Sequence, residues 1–107
     1  MSDHDQKFEQ EILDKGLTAP RVTFDSIQAL MNRVVYVSHV PAGTTSTFVH
    51  AFLDGKFFLA TGYTACVSLE NFDAALGEKY AKDKAVTAAR DKLWELEGYA
   101  LFKSMGA

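Results

Sequence analysis

Thr45-Ser46-Thr47-Phe48-Val49-His50-Ala51-Phe52-Leu53-Asp54-Gly55-Lys56-Phe57-Phe58-Leu59-Ala60-Thr61-Gly62-Tyr63-Thr64-Ala65-Cys66-Val67 is two β-branched and aromatic runs joined by Asp54-Gly55. Asp-Gly favours a hairpin because the two central residues of the tightest turn both need positive φ. A two-residue turn at this point pairs Leu53 with Lys56, Phe52 with Phe57, Ala51 with Phe58, His50 with Leu59, Val49 with Ala60 and Phe48 with Thr61. One face of the hairpin then carries Phe48, Phe52, Phe57 and Leu59. The other carries Val49, Ala51, Leu53, Phe58 and Ala60. Neither is polar, whereas an antiparallel sheet commonly keeps one face wet. Between Ser26 and Leu69 the only charged residues are Arg33, Asp54 and Lys56. The pattern predicts a sheet covered on both sides, and a chain with few helices achieves that by self-association into a homodimer or higher oligomer.

Upstream of the hairpin, Arg33 to Val40 alternates as a further strand, and Pro41-Ala42-Gly43 is the turn that follows it. Thr23 is placed to cap a short helix over Phe24–Asn32 that buries Phe24, Ile27, Leu30 and Met31, with Asp25 in its first turn. An earlier helix is expected over Phe8–Leu17, stopped near Gly16, with residues 1–7 as a disordered polar tail and Thr18–Val22 as an extended linker around Pro20. Downstream, Ser68 to Met105 reads as helical. Ser68 or Asn71 can cap it, and Gly77 is expected to divide a short helix (about 70–76) from a long one (about 78–96). Ala81, Ala85, Ala88, Ala89, Leu93 and Leu96 make an apolar stripe on the long helix, Glu78 and Lys82 an i,i+4 pair, and Gly98 an interruption. Tyr99, Leu101 and Phe102 are expected to close against the core. The fold class is α+β: a small antiparallel sheet of about three strands, two short N-terminal helices and a long C-terminal helix, in one domain over residues 8–107.

Composition narrows the function. The 107 residues carry a formal net charge of −3, and basic residues lie beside acidic ones, as in Lys82-Asp83-Lys84 and Arg90-Asp91-Lys92. Clustered Lys/Arg is the footprint of DNA and RNA binding, and it is missing here. One cysteine, Cys66, excludes an internal disulfide and any multi-cysteine zinc site, and beside Ala65 and Val67 it reads as a small buried hydrophobe. The start of the chain has no apolar leader. The longest charge-free run, Val34 to Leu53, is broken by Pro41 and Gly43, so no membrane span is expected. The expected location is cytoplasmic.

No pattern for catalysis stands out. His4, His39 and His50 have no second and third ligand or base partners at useful spacing, so structural or interfacial roles are expected of them, with no metal and no cofactor. There is no nucleophile elbow, P-loop or dinucleotide fingerprint, and the chain is not expected to be an enzyme. Thr44-Thr45-Ser46-Thr47 reads as a turn entering a strand, with phosphate binding as the alternative. Gly62 marks a bulge or a close approach by backbone or ligand. Trp94, among Leu93, Leu96 and Tyr99, reads as a core anchor. The most suggestive segment is Ser68-Leu69-Glu70-Asn71-Phe72-Asp73, a strand-to-helix junction. Free N–H groups at a helix start can meet an anion there, Phe72 can stack on a flat ring, and Asn71 or Asp73 can bond a base edge or ribose hydroxyl. The simpler alternative is a capped helix start with Phe72 as its hydrophobic staple.

Several segments, in this order, resemble one group of proteins: Lys15-Gly16-Leu17-Thr18-Ala19-Pro20-Arg21-Val22-Thr23, the Pro41–Thr45 turn, Asp54-Gly55, Ala65-Cys66-Val67, Glu70-Asn71-Phe72-Asp73 with Gly77, and Ala89 to Tyr99 around Trp94. The likeness, over about residues 12–103, is to a widespread family of small tailed-phage and prophage proteins. The resemblance implies an anti-defence function, because the family includes phage Thoeris anti-defence proteins. These act as sponges for cyclic ADP-ribose-type signals, some also for the cyclic oligonucleotides of CBASS defence, and do not cleave them. It implies oligomers with pockets at subunit interfaces and action in the host cytoplasm. Asn71, Phe72 and Asp73 of the strand-to-helix junction, with Arg90 and Thr64, are the candidate ligand-binding residues. Arg21, Arg33, Lys79 or Arg90 is available as counter-charge to a pyrophosphate. The alternative function is a protein–protein interaction module that acts on a host enzyme. Many family members have Pro where this chain has Leu69.

Overall fold

A computed structural model of the protein describes residues 3–16 and 19–106. Its elements are α1 (Asp3–Asp14), α2 (Phe24–Met31), β1 (Val34–His39), β2 (Ser46–Leu53), β3 (Phe57–Ala65) and α3 (Ala74–Ser104), with a 3-10 turn at Leu69–Asn71 just before α3. The strands form one antiparallel sheet in the order β1-β2-β3. The α+β class, the three strands and the long C-terminal helix are those expected. α1 starts at Asp3 rather than Phe8, so residues 3–7, expected as tail, are helical here. Leu17 and Thr18, the expected end of that helix and start of the linker, lie outside the described residues.

α2 forms where its cap dictates. The Thr23 hydroxyl accepts from the Ser26 N–H, and the Ser26 hydroxyl accepts in return from the Thr23 N–H, which satisfies donors the helix leaves unpaired. Phe24, Ile27 and Met31 are buried. Across the sheet, Thr47, Val49 and Ala51 of β2 alternate inward and are buried against α3, which presents Ala81, Ala85, Ala89 and Leu93. Small side chains on this stripe bring helix and sheet into close approach. Gly62 is the extreme point: a Cβ there would lie 1.9 Å from the Ala81 carbonyl oxygen and 2.5 Å from the Ala85 nitrogen. The glycine therefore marks a close backbone approach, not a bulge.

The bulge lies elsewhere and changes the register. Asp54 and Gly55 both take positive φ (57° and 71°), as the turn requires. Leu53 nevertheless faces Phe57 and Phe52 faces Phe58, one residue out of step with the expected pairing. A bulge then leaves Leu59 without a partner, so that Ala51 faces Ala60 and Val49 faces Gly62. The first slip exchanges the faces of Phe57 and Phe58, and the bulge exchanges them back for the rest of β3. Leu59 ends up buried against the helices.

Within one copy, and among the described residues, the sheet is covered on one side, by α2 and α3. Its other side carries Val35, Val37, His39, Phe48, His50, Phe52, Phe58 and Tyr63. Val35, Val37, Phe58 and Tyr63 are each about half exposed, and Phe48 stacks on His39 at 5.5 Å between centroids and meets the Tyr63 ring at a tilt, 5.0 Å away.

α3 runs unbroken through Gly77 and Gly98. At about 1.5 Å per residue its 31 residues run about 46 Å and outreach the sheet, against a long dimension of 55 Å for the molecule. Its last turns leave the sheet behind. Tyr99 and Phe102 are 63% and 55% exposed instead of closing on the core, and Leu96 is on the surface too. Lys82 lies over the Tyr36 ring, 5.1 Å from its centroid, where a pair with Glu78 was expected. Burial pushes the Tyr36 hydroxyl pKa up, opposed by the nearby Arg90 charge.

Candidate functional site

The 3-10 turn folds the end of β3 back toward the start of α3. Neither Ser68 nor Asn71 caps α3. Asp73 does, its Oδ1 accepting from the Leu76 N–H at 3.0 Å. The carboxylate therefore occupies the positive helix end where an anion was expected to bind, and a second negative group is disfavoured there. The cap leaves Asn71 and Phe72 at the mouth of a cleft of about 210 Å³ between the β2 and β3 ends and the first turns of α3. Thr45, Thr47 and Thr64 form its sheet side, and Leu76, Gly77 and Tyr80 its helix side.

Hydrogen bonds hold these walls in place. The Thr45 hydroxyl donates to the Cys66 carbonyl, and the Thr64 hydroxyl donates to the Gly77 carbonyl at 2.9 Å, which ties β3 to α3. Gly77 is the floor, and a Cβ there would stand 2.8 Å from the Thr47 hydroxyl oxygen. That hydroxyl is itself the unusual group. Thr47 is 2% exposed, yet its Oγ1 is buried with no hydrogen-bond partner among the described residues. An unpaired buried hydroxyl costs about 1–3 kcal/mol and calls for an explanation. Cys66, expected as a buried hydrophobe, is half-buried on the cleft wall, with its Sγ 3.2 Å from the Ser68 carbonyl oxygen.

Of the residues named from sequence, Thr64, Asn71, Phe72 and Asp73 meet at this cleft. Arg90 does not. It is 8% exposed in the middle of α3, bonded to the Gln28 side chain at 3.3 Å. Arg21 and Arg33 are also committed elsewhere. Arg21 forks onto Glu9 at 2.6 and 3.0 Å, and the guanidinium holds the Glu9 carboxyl below its ordinary pKa. Arg33 forks onto Asp54 beside the hairpin, with the same effect on Asp54. Lys79, whose ammonium lies 5.5 Å from the centroid of Tyr80, is the expected counter-charge that reaches a cleft residue. Sequence points to Thr45 and Thr47 only through the phosphate-binding alternative for the Thr44–Thr47 run, and it gives no signal for Gly77 and Tyr80 as site residues. The positions of Thr47, Gly77 and Tyr80 in sequence show only a strand and a helix, and the packing of α3 on β2 and β3 makes them neighbours.

A family model for phage proteins matches residues 22–105, from the end of the linker through nearly all of α3. The chain belongs to the phage protein (N4 Gp49/phage Sf6 gene 66) family. The family region contains the whole sheet and the cleft, and leaves α1 outside it. No curated protein and no solved structure matches the chain. Among the described residues, no helix of this phage-family chain is long and apolar enough to cross a membrane.

Proposed function

We propose that this phage protein binds a small nucleotide signal of host defence, of the cyclic ADP-ribose or cyclic oligonucleotide type, in the cleft and sequesters it uncleaved in the host cytoplasm. The observation that carries this reading is a cleft in which two aromatic rings, Phe72 and Tyr80, stand beside the Thr45 and Thr64 side chains and the Asn71 amide. A flat base has rings to stack on, and a ribose or base-edge group has Thr64 and Asn71 to bond. The resemblance described above favours this ligand class, and the family match supports a phage protein.

The cleft volume of about 210 Å³ falls short of the roughly 300 Å³ at which sites for drug-sized ligands begin. One copy therefore encloses a base and ribose, with the rest of the ligand outside its walls. We take the working form to be a homodimer or larger assembly in which the open, aromatic face of the sheet is covered by another copy.

The test is a melting screen with cyclic ADP-ribose isomers and cyclic di- and trinucleotides. A ligand at 100 times its Kd adds about 2.7 kcal/mol, which for a domain this size raises Tm by about 10 °C or more. The same compound should be recovered intact after the complex is denatured. No shift with any of these compounds sinks the reading. The open sheet face favours a second reading, a module that docks on a host enzyme. A host protein retained by wild type and released by Val37→Asp supports it.

A further inference from the structure

The strand pairing brings together two histidines that lie eleven positions apart in sequence. His39 faces Phe48 and His50 faces Val37, so the imidazoles meet on the diagonal of the β1–β2 ladder, on the open face of the sheet. His50 Nε2 lies 3.2 Å from His39 Nδ1, and the other ring nitrogen of His50, Nδ1, lies 2.8 Å from the Thr61 hydroxyl on β3. When His50 Nδ1–H donates to Thr61, Nε2 is left as the lone-pair nitrogen turned toward His39.

We propose that His39 and His50 chelate a divalent transition-metal ion of the zinc class. The spacing is that of two ligands on one ion. Metal–nitrogen bonds of about 2.0–2.1 Å that span 3.2 Å subtend about 100° at the metal, between octahedral and tetrahedral values. Imidazole nitrogen is a preferred donor for zinc, copper and nickel. The hydrogen bond to Thr61 is the outer partner that such histidines ordinarily have, fixing tautomer and ring orientation. The Phe48 ring stacks on both histidines, 5.5 Å from His39 and 6.3 Å from His50, and limits their motion. Binding turns the exposed His39 ring slightly and moves its proton from Nδ1 to Nε2, so that both lone pairs meet at the ion. Among the described residues no third histidine, cysteine or carboxylate joins the pair. Water fills the remaining coordination positions on a single copy, and groups of a second copy take them where that copy covers this face. The site is separate from the cleft and independent of the proposed nucleotide.

The full chain titrated with zinc chloride, by calorimetry and by amide NMR, tests this. The expected result is saturable binding with shifts centred on His39, His50 and Thr61. His39→Gln and His50→Gln should each weaken it at least tenfold, and Thr61→Val about tenfold, as loss of an outer partner does. His4→Gln should leave it unchanged. Absence of saturable binding up to about 1 mM zinc, far weaker than protein metal sites of use, overturns the proposal. So does binding that survives the double glutamine variant, or that is lost with His4. The NMR map on the wild-type chain decides the matter even if a variant misfolds.

Discussion

Replacing Gly62 with alanine tests how α3 sits on the sheet. The new methyl carbon would lie 1.9 Å from the Ala81 carbonyl oxygen, 2.5 Å from the Ala85 nitrogen and 3.0 Å from the Ala81 carbonyl carbon. All three are backbone atoms in a helix whose hydrogen bonds hold them, so no rotamer change relieves the clash. The helix must retreat by more than an ångström, and a radial gap of only 0.5–1 Å already forfeits about a quarter to a half of each contact. The contacts at stake are those of Ala81, Ala85, Ala89 and Leu93 with Val49, Ala51 and Leu59. Overpacking ordinarily costs about 1–3 kcal/mol, and backbone obstruction puts Gly62→Ala at about 3 kcal/mol or above. That is a large share of the roughly 5–15 kcal/mol that holds a domain together, and it corresponds to a Tm lower by about 12–24 °C. Thermal and urea unfolding followed by circular dichroism measure it. The blocking atoms belong to the main chain, so Ala81→Gly or Ala85→Gly should not rescue the variant. A Gly62→Ala protein that melts within about 2 °C of wild type, against the 4–8 °C expected per kcal/mol, would refute this account of the packing.

Gly98→Ala makes the contrast. Nothing lies within 4 Å of its added Cβ, so the helix should gain about 0.5–1 kcal/mol, seen as a higher urea midpoint. Thr47→Val removes the unpartnered buried hydroxyl at nearly constant shape. It should raise stability by about 1 kcal/mol, read as a higher urea midpoint, and an unchanged or lower midpoint counts against the unpaired hydroxyl. Gly77→Ala, which places a methyl 2.8 Å from the Thr47 oxygen, should abolish the ligand-induced Tm rise but keep the fold by circular dichroism. Glu9, with its pKa lowered by the Arg21 hydrogen bond from the ordinary 4.5, stabilises the docked α1 above that pH, and the contribution is lost as pH falls through the lowered value. Trp94, the sole tryptophan, lines the cavity beneath α1 with Phe8 and Ile12. Its emission should red-shift in that acid window and, at neutral pH, in Glu9→Gln. Emission unchanged in both disproves the role of the pair.

What sequence determined by itself is local. Thr23 before Phe24 specifies the α2 start through a cap that involves only neighbours, and Asp54-Gly55 specifies a hairpin because few other residues tolerate both positive φ values. The apolar alternation of β2 put Val49 and Ala51 on one face, and the alanine spacing in α3 marked its buried stripe. Four of the five named site residues share a cleft because Thr64 ends a strand and Asn71, Phe72 and Asp73 form the junction that follows.

Tertiary structure decided the rest. The hairpin register depends on a bulge at Leu59 that is favourable only because α2 and α3 offer that side chain a buried place. Gly77 and Gly98 lower helix propensity by about 1 kcal/mol each, which predicts breaks, but packing on the sheet outweighs so small a term at Gly77, and cooperativity with the helical turns on either side outweighs it at Gly98. Arg90 reads in sequence as a free cation, and only the fold shows it bonded to Gln28 below the sheet. Thr47, Gly77 and Tyr80, like His39 and His50, become neighbours through contacts between elements, and no local pattern records which segments will be pressed together.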